Sequence, residues 1–296
     1  METEEKQKWL LAGKIGKEAR ETGIAAAKPG AKLLDVAEAI EKKISDMGAK
    51  PSFPPNLSVN QIAAHYTPRF EDDKVLEKGD ILKVDVGASV DGYLSDTAAT
   101  TVVGEDDNDL VKASREALSE ALKIAKPGVD VNDRGSVIER IIKSHGFSPI
   151  VNLGGHGIGR YDLHEEGFIP NISGSYSRPL KREGVIAIEP FATTGGGYVV
   201  DSSEVQILGF EEQKPVRSAL GREILEFISS EYNKLPFAKR WIIKKFGRVA
   251  ELELKSLVAA GALSEFHVLK EKNDGMVSQF EHTILFDGSE IIVTTA

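Results

Sequence analysis

Two stretches of the chain repeat the same order of sequence signals. The tripeptide Lys-Pro-Gly at 28–30 precedes a segment with apolar residues at helical spacing, and the same tripeptide at 126–128 precedes another. A glycine ends each segment, at Gly48 and Gly146, as is common at the ends of helices. A further helical pattern precedes each tripeptide. We therefore predict a duplicated chain, since an internal repeat determines the whole architecture.

Strand patterns continue the repeat. Ile81–Asp85 parallels Val185–Glu189, and both strands end on an acid. Gly92–Asp96 likewise resembles Gly197–Asp201. Chance similarity between short segments is the alternative, but the matches keep the same order along the chain. A pseudo-two-fold arrangement would bring the acids that end the first pair of strands together at a central cleft.

The first half contains a clear β-hairpin signal. Apolar residues alternate with polar ones on both sides of Asp91-Gly92, a dipeptide that favours a two-residue primed turn. This register pairs Asp85 with Ala98 and Asp96 with Gly87, so that the two acids share one face as diagonal neighbours about 7–8 Å apart. Because uncompensated buried carboxylates are costly, we expect a cation between them.

Composition narrows the class of protein. A net charge of −9 disfavours nucleic acid as a substrate, and the absence of cysteine excludes disulfides, thiolate zinc sites and cysteine nucleophiles. The start of the chain is charged and lacks the apolar core of a signal peptide. No apolar run approaches the ~18 residues of a membrane-spanning helix. We expect a cytoplasmic monomer with no membrane association.

Residues 207–272 interrupt the repeat. Three helical patterns and a strand predict an inserted winged-helix-like subdomain, flanked by 1–206 and 273–296 as the two parts of the main domain. A basic cluster in this insert is compatible with nucleic-acid binding: Lys239, Arg240, Lys244, Lys245 and Arg248. In an acidic chain we favour a solvated helix face instead.

Three histidines are candidates for a functional site. His156 lies among glycines, where small neighbours let the backbone bring an imidazole close to a crowded site. His164 and His65 lie in motifs of their own. A single histidine is more often structural, but these occur together with the acids. Spacing sets aside the remaining histidines: His145, His267 and His282.

Taken together, these motifs resemble the type II methionine aminopeptidases of the archaeal class. The resemblance covers roughly residues 5–296 and rests on AAHYTP at 63–68, VDVG at 84–87, SDTA at 95–98, GGHG at 154–157, LH at 163–164, IEPF at 188–191 and FEHT at 280–283. It implies an α+β pita-bread fold, in which two pseudo-symmetric halves enclose a dinuclear metal cleft. It also implies metal-dependent removal of an N-terminal methionine that precedes a small residue.

The same resemblance implies which residues act. Glu281 would move a proton, His65 and His164 would act on the substrate, and Phe53 and Leu163 would line an apolar methionine pocket. Two divalent metal ions, drawn from Co, Mn, Fe(II) or Zn, would be held by five ligands: Asp85, Asp96, His156, Glu189 and Glu281.

Two details of the site stay open at this point. Asp201 matches Asp96 in local sequence, but the resemblance assigns the fifth ligand to Glu281, so we expect Asp201 to face solvent or to make a supporting hydrogen bond. Glu165 and Glu166, beside the second substrate histidine, either alter substrate preference or are merely exposed.

The implied partners are the N-termini of nascent proteins and peptides, with transient contact with the ribosome. The nearest alternative is a prolidase or Xaa-Pro aminopeptidase, which shares the fold and the ligands. Most of those relatives have a large additional N-terminal domain and lack an insert like 207–272. A non-catalytic pita-bread binding protein is the second alternative. Such relatives have usually lost ligands, whereas this chain retains all five.

Overall fold

A computed structural model describes residues 1–126, 128–174, 179–180, 183–288 and 290–296. Pro127, in the second Lys-Pro-Gly tripeptide, lies outside the described residues. The first half consists of two helices followed by short strands: α1 (Thr3–Ala26), α2 (Leu33–Asp46), β1 (Lys50–Pro51), β2 (Asn56–Val59), β3 (Ile62–Ala64), β4 (Ile81–Val86), β5 (Ala88–Val90), β6 (Tyr93–Leu94) and β7 (Thr97–Val102).

The second half begins with the same order of elements. It comprises α3 (Asp109–Lys123), α4 (Val131–Ser144), β8 (Ser148–Pro149), β9 (Gly154–Gly159), β10 (Asp162–Pro170), β11 (Glu183–Ile188), β12 (Phe191–Thr193) and β13 (Val199–Phe210). The chain then continues through α5 (Ala219–Glu231), β14 (Phe237–Ala238), α6 (Lys239–Phe246), α7 (Ala250–Ala259), β15 (Leu263–Glu271), β16 (Val277–Gln279), β17 (His282–Asp287) and β18 (Glu290–Val293).

The helix after each tripeptide packs an apolar stripe against the sheet of its own half. Ile40 and Ile44 of α2 are fully buried, as is Ile142 of α4. Burial of one such side chain stabilises the fold by about 1.5–3 kcal/mol. Gly48 and Gly146 follow the two helices with φ of 80° and 83°, a left-handed conformation that glycine adopts without strain. The predicted helix ends are therefore confirmed.

The hairpin in the first half has the predicted register. Asp85 of β4 is opposite Ala98 of β7, and β5 and β6 continue the same pairing toward the turn. Asp91 and Gly92 have φ of 53° and 85°, which are the positive values that a primed turn requires. The register brings the end of β4 and the start of β7 to the same edge of the sheet.

The two halves carry equivalent three-strand units. β2, β4 and β7 are neighbours in the first half, and β9, β11 and β17 are neighbours in the second. The units meet where Glu281 donates its N–H to the carbonyl of Ala98 at 2.9 Å, and Ala98 donates back at 3.3 Å. The counterpart of β7 is thus β17. The predicted equivalence of Gly92–Asp96 and Gly197–Asp201 is wrong, because Asp201 lies on β13, which pairs with β15.

The three helical patterns of the predicted insert correspond to α5, α6 and α7. They share a hydrophobic core that includes Ile224, Phe237 and Leu254. β13 runs past residue 206 and pairs with β15, which also pairs with β3. These strands join the insert to the first half. The proposed boundaries at 206/207 and 272/273 stay a prediction.

Three cations of the insert's basic cluster form ion pairs with acids of the first half. Arg240 is only 4% exposed and forms an ion pair with Glu41 of α2. Two further ion pairs lie in more exposed positions: Lys244–Glu38 and Arg248–Glu71. The expectation of a solvated helix face is wrong for Arg240, because burying a guanidinium requires a carboxylate partner that sequence spacing does not reveal.

Within the described part of the chain, the helices are too short or too polar to cross a lipid bilayer.

Candidate metal centre and active-site cleft

The five side chains predicted as metal ligands line one cavity between the two halves. Asp85 is the next-to-last residue of β4 and Glu189 directly follows β11, while Asp96 and Glu281 directly precede β7 and β17. Ligand atoms of Asp96, His156 and Glu281 lie within 4.8 Å of one another. His156 Nε2 is 3.5 Å from Asp96 Oδ2 and 3.9 Å from Glu189 Oε1. The structure therefore brings all five together.

Two threonines fix the acids that precede β7 and β17. The hydroxyl of Thr283 donates to the carbonyl of Asp96 at 2.6 Å and accepts from its N–H at 2.8 Å. The hydroxyl of Thr97 donates to the carbonyl of Glu281 at 2.9 Å. Each half thus supplies a threonine that holds the acid of the other half. This reciprocal contact explains why each motif pairs an acid with a threonine.

His156 reaches the acids because its strand approaches a neighbour closely. A side chain at Gly155 would place its Cβ 2.1 Å from the carbonyl oxygen of Ala187 on β11. The expected role of small neighbours is confirmed at this residue. His156 Nδ1 is 3.0 Å from the carbonyl of Gly157 and donates to it, so Nε2 keeps a lone pair directed at the acids.

The other two candidate histidines line the same cavity. The ring of His164 on β10 lies 4.5 Å from that of His156, measured between centroids. Although His164 is exposed at the cavity mouth, desolvation by the surrounding protein lowers its pKa, and His156 and His65 lower it further. Burial likewise lowers the pKa of His65. Both rings are therefore neutral at pH 7 and act as hydrogen-bonding groups there.

His65 has an unusual backbone conformation. Its φ is 64°, in the left-handed region, which costs a residue other than glycine about 1–3 kcal/mol. Its Nδ1 is 3.1 Å from the carbonyl oxygen of His267. A carbonyl only accepts, so Nδ1 carries the proton and Nε2 is left as an acceptor. His267, which spacing had set aside, thus determines the tautomer of His65.

The cavity has a volume of about 410 Å³ and an apolar wall. Phe53 and Leu163 are 5% and 8% exposed and line it, and their assignment to a methionine pocket stays a prediction. Ile207, Pro236 and Phe266 contribute further apolar surface from the predicted insert. Sequence reasoning missed this contribution. Two exposed acids, Glu165 and Glu166, also line the cavity.

Comparison with known proteins identifies the family. Residues 8–225 match metallopeptidase family M24. The chain belongs to this family. A methionine aminopeptidase of Pyrococcus abyssi is 47% identical over 291 residues, which make up 97% of this chain and 98% of that protein. The resemblance inferred from the motifs is therefore confirmed.

Solved structures give the same fold for this M24 peptidase. A thermophilic Arx1 superposes with a TM-score of 0.87 at 17% identity, covering 99% of this chain and 91% of that one. A methionine aminopeptidase from Thermotoga maritima superposes with a TM-score of 0.73 at 25% identity, covering 100% and 98%. The predicted α+β pita-bread fold is confirmed.

The donor set of the M24 peptidase fits divalent cations. Burial raises the pKa of Asp85, Glu189 and Glu281 well above their ordinary values, and Asp96 and the other carboxylates raise it further. Among the described residues, three buried carboxylate oxygens lack a hydrogen-bond partner: Asp85 Oδ1, Asp96 Oδ1 and Glu281 Oε1. Carboxylates with an imidazole, and no thiolate, suit Mn, Fe(II), Co(II) or Zn.

Asp201 lies apart from these carboxylates. It is exposed on β13 and is absent from the described residues that line the cavity. Its negative charge instead raises the pKa of His65 slightly against the effect of burial. The preference for Glu281 over Asp201 therefore agrees with the positions of the two side chains.

Gln279 is a residue of the centre that sequence reasoning missed. It is 1% exposed, and its Nε2 lies 3.3 Å from Asp85 Oδ2, 3.4 Å from Glu189 Oε2 and 3.3 Å from Glu281 Oε2. An amide nitrogen has two hydrogens, so it serves two of these acceptors at a time. The available signal was its spacing of two from Glu281, which places both on one face of an extended chain.

Proposed function

We propose that this M24 metallopeptidase removes the N-terminal methionine from peptides and nascent proteins whose second residue is small. One observation carries the proposal: metal-ligating side chains from both halves face an apolar cavity of about 410 Å³. Phe53 and Leu163 provide a surface that suits the unbranched methionine side chain. The full-length similarity to a methionine aminopeptidase supports the same substrate. A small second residue is required because it enters the enclosed cleft.

The metal centre is part of the proposal. Two divalent ions, drawn from Co, Mn, Fe(II) or Zn, are assigned to these ligands: Asp85, Asp96, His156, Glu189 and Glu281. When bound, such a pair supplies an activated water and polarises the scissile carbonyl. The carboxylates that share the buried site then ionise against the cations and no longer repel one another.

Three side chains handle protons and hydrogen bonds in the proposed reaction. Glu281 accepts the proton of the attacking water on its carboxylate and passes it to the leaving amine. His164, as a neutral ring, donates to the carbonyl oxygen as negative charge develops there. His65 accepts through Nε2 near the scissile amide, because Nδ1 is engaged by the carbonyl of His267.

The cellular setting follows from the substrate. Nascent N-termini are available where proteins are synthesised, so we propose a cytoplasmic monomer that contacts the ribosome transiently. Nucleic acid is not a substrate in this proposal, since the insert's buried cation is engaged by an acid of the main domain.

The decisive experiment measures free methionine released from Met-Ala-Ser, Met-Pro-Ala and Met-Leu-Ser. Metal-stripped protein is assayed after addition of Mn, Fe(II), Co(II) or Zn, with Ala-Pro as a prolidase substrate. We expect metal-dependent release from the first two peptides, little from the third and none from Ala-Pro. A Glu281→Ala variant should lose activity.

The alternative functions predict different results in the same assay. Cleavage of Ala-Pro without release of methionine would indicate that the protein is a prolidase. Folded protein that binds metal and cleaves none of the peptides would indicate a binding protein.

A further inference from the structure

The predicted insert contacts the segment that carries His65 on both sides. Before His65, Ala64 of β3 pairs with Leu269 of β15. At His65 itself, the ring nitrogen Nδ1 donates to the carbonyl of His267, also on β15. After His65, Arg240 at the start of α6 reaches the chain. A segment of the main domain is therefore held from three directions by residues of 207–272.

Arg240 makes the most specific of these contacts. Its Nη1 donates to the hydroxyl of Thr67 at 2.6 Å and to the carbonyl of Pro68 at 3.0 Å. Its Nη2 pairs with Glu41, which also accepts from the indole N–H of Trp241 at 2.9 Å. Arg240 is 4% exposed and Thr67 is fully buried. The planar guanidinium matches these acceptors in a way that a lysine ammonium does not.

The position of His65 depends on such contacts because its backbone is strained. A residue other than glycine keeps a left-handed φ only where the surrounding structure determines it from several sides. A relaxed φ would rotate the chain and turn the imidazole away from the cleft. Arg240 fixes Thr67 and Pro68, which are the second and third residues after His65.

We propose that Arg240 is a positioning residue for His65. The guanidinium fixes Thr67 and Pro68 and, together with the carbonyl of His267, holds the His65 ring against the cleft. The insert is then a part of the catalytic apparatus. This inference rests on the proposed function, in which His65 acts on the substrate.

Neighbouring ion pairs of the same interface provide a matched control. Arg248 pairs with Glu71 and lies over the ring of Phe70, yet its side chain is 72% exposed. It joins the insert to the main domain farther along the chain, and among the described residues it makes no hydrogen bond to Thr67 or Pro68. Exposed ion pairs contribute little to stability.

The test compares steady-state kinetics of Arg240→Lys and Thr67→Val with Thr67→Ser and Arg248→Met on Met-Ala-Ser. Displacement of a catalytic group by about 1 Å can cost on the order of 100-fold. We therefore expect kcat to fall about 10- to 100-fold in the first two variants, with KM changed less than about threefold. Thr67→Ser, which keeps the hydroxyl, should restore kcat to within about threefold, and Arg248→Met should stay within about twofold.

A double variant separates positioning from general stability. If Arg240 acts through His65, the pair His65→Ala/Arg240→Lys should be no more than about twofold slower than His65→Ala alone. Multiplying effects would overturn the proposal. So would a loss of kcat that melting temperature or metal content explains, or failure of both Arg240→Lys and Thr67→Val to fold. Wild-type protein that releases no methionine would instead refute the proposed function.

Discussion

The two halves present equivalent acids through chain paths of very different length. In the first half, a two-residue turn leads from the strand of Asp85 back to the strand that follows Asp96. In the second half, β12, β13, the insert and β16 lie between Glu189 and Glu281. Both halves nevertheless end in the same antiparallel pairing. Ligand geometry is thus determined by which strands pair and not by how close the ligands lie in sequence.

The halves also differ in what they add beside the acids. β9 in the second half brings His156 to the cavity, whereas its counterpart β2 in the first half brings Asn56. The insert likewise interrupts only the second half, yet it contacts His65 of the first. The duplication supplies a symmetric frame, and the residues that break the symmetry distinguish the two sides of the cavity.

Substitution of Asp96 and Glu281, the equivalent acids of the two halves, should have the largest effect on activity and should show how their roles differ. We expect Glu281→Gln to lower kcat by about 10²–10⁴-fold at saturating metal, because its carboxylate moves a proton in the proposed reaction. Asp96→Asn should lose metal affinity first and recover in part when metal is added. Turnover measured against metal concentration distinguishes the two. Equal recovery of both variants would show that Glu281 serves as a ligand only.

Removal of metal should reveal how far the halves depend on it for stability. Ions at 100 times their dissociation constant stabilise a fold by about 2.7 kcal/mol. Without metal, the raised pKa values of Asp85, Glu189 and Glu281 mean that stability falls as pH rises from the unfolded-state value through the raised one. Metal displaces those protons.

The gain in melting temperature on adding metal should therefore be larger at pH 7.5 than at pH 5. Thermal unfolding of loaded and stripped protein at both pH values gives the comparison. A gain that is constant with pH would mean that these carboxylates are already ionised in the stripped protein.

Replacement of Gln279 should weaken the connection between the halves, since its amide contacts acids of both. We expect Gln279→Leu to lower metal affinity by about 10- to 100-fold, as is typical for residues that orient ligands. Calorimetric titration of stripped protein measures the change. Activity at saturating metal should stay within about tenfold of wild type. An unchanged metal affinity would show that Gln279 does not contribute to metal binding.

Asp201 provides the smallest expected effect. Its local sequence imitates Asp96, but it lies exposed on β13. Asp201→Ala should keep its full metal content and an activity within about twofold of wild type. Loss of a bound ion in this variant, measured by elemental analysis, would show that Asp201 is a metal ligand.

Local patterns predicted what local interactions determine. The register of Asp85 and Ala98 followed from period-two alternation and a turn of two residues. The pairing of β11 with β17 could not be predicted in this way, because strands so far apart in sequence leave no local signal. The similarity of Gly197–Asp201 to Gly92–Asp96 led to the wrong strand equivalence. The burial of Arg240 was equally hidden, since it depends on an acid of α2. The choice of Glu281 came from the resemblance alone.

The separation of β11 and β17 along the chain also orders the events of folding. A hairpin closed by two residues forms within about 1–10 μs. Pairing of β17 with β11 must first overcome the closure entropy of the intervening segment and is correspondingly slower. Under the proposed ligand assignment, a partly folded chain would present Asp85 and Asp96 as a weak two-carboxylate chelator before Glu281 joins them. Tight metal binding would then require the pairing of β17 with β11, so the rate at which a refolding chain gains tightly bound metal would report the completion of the fold.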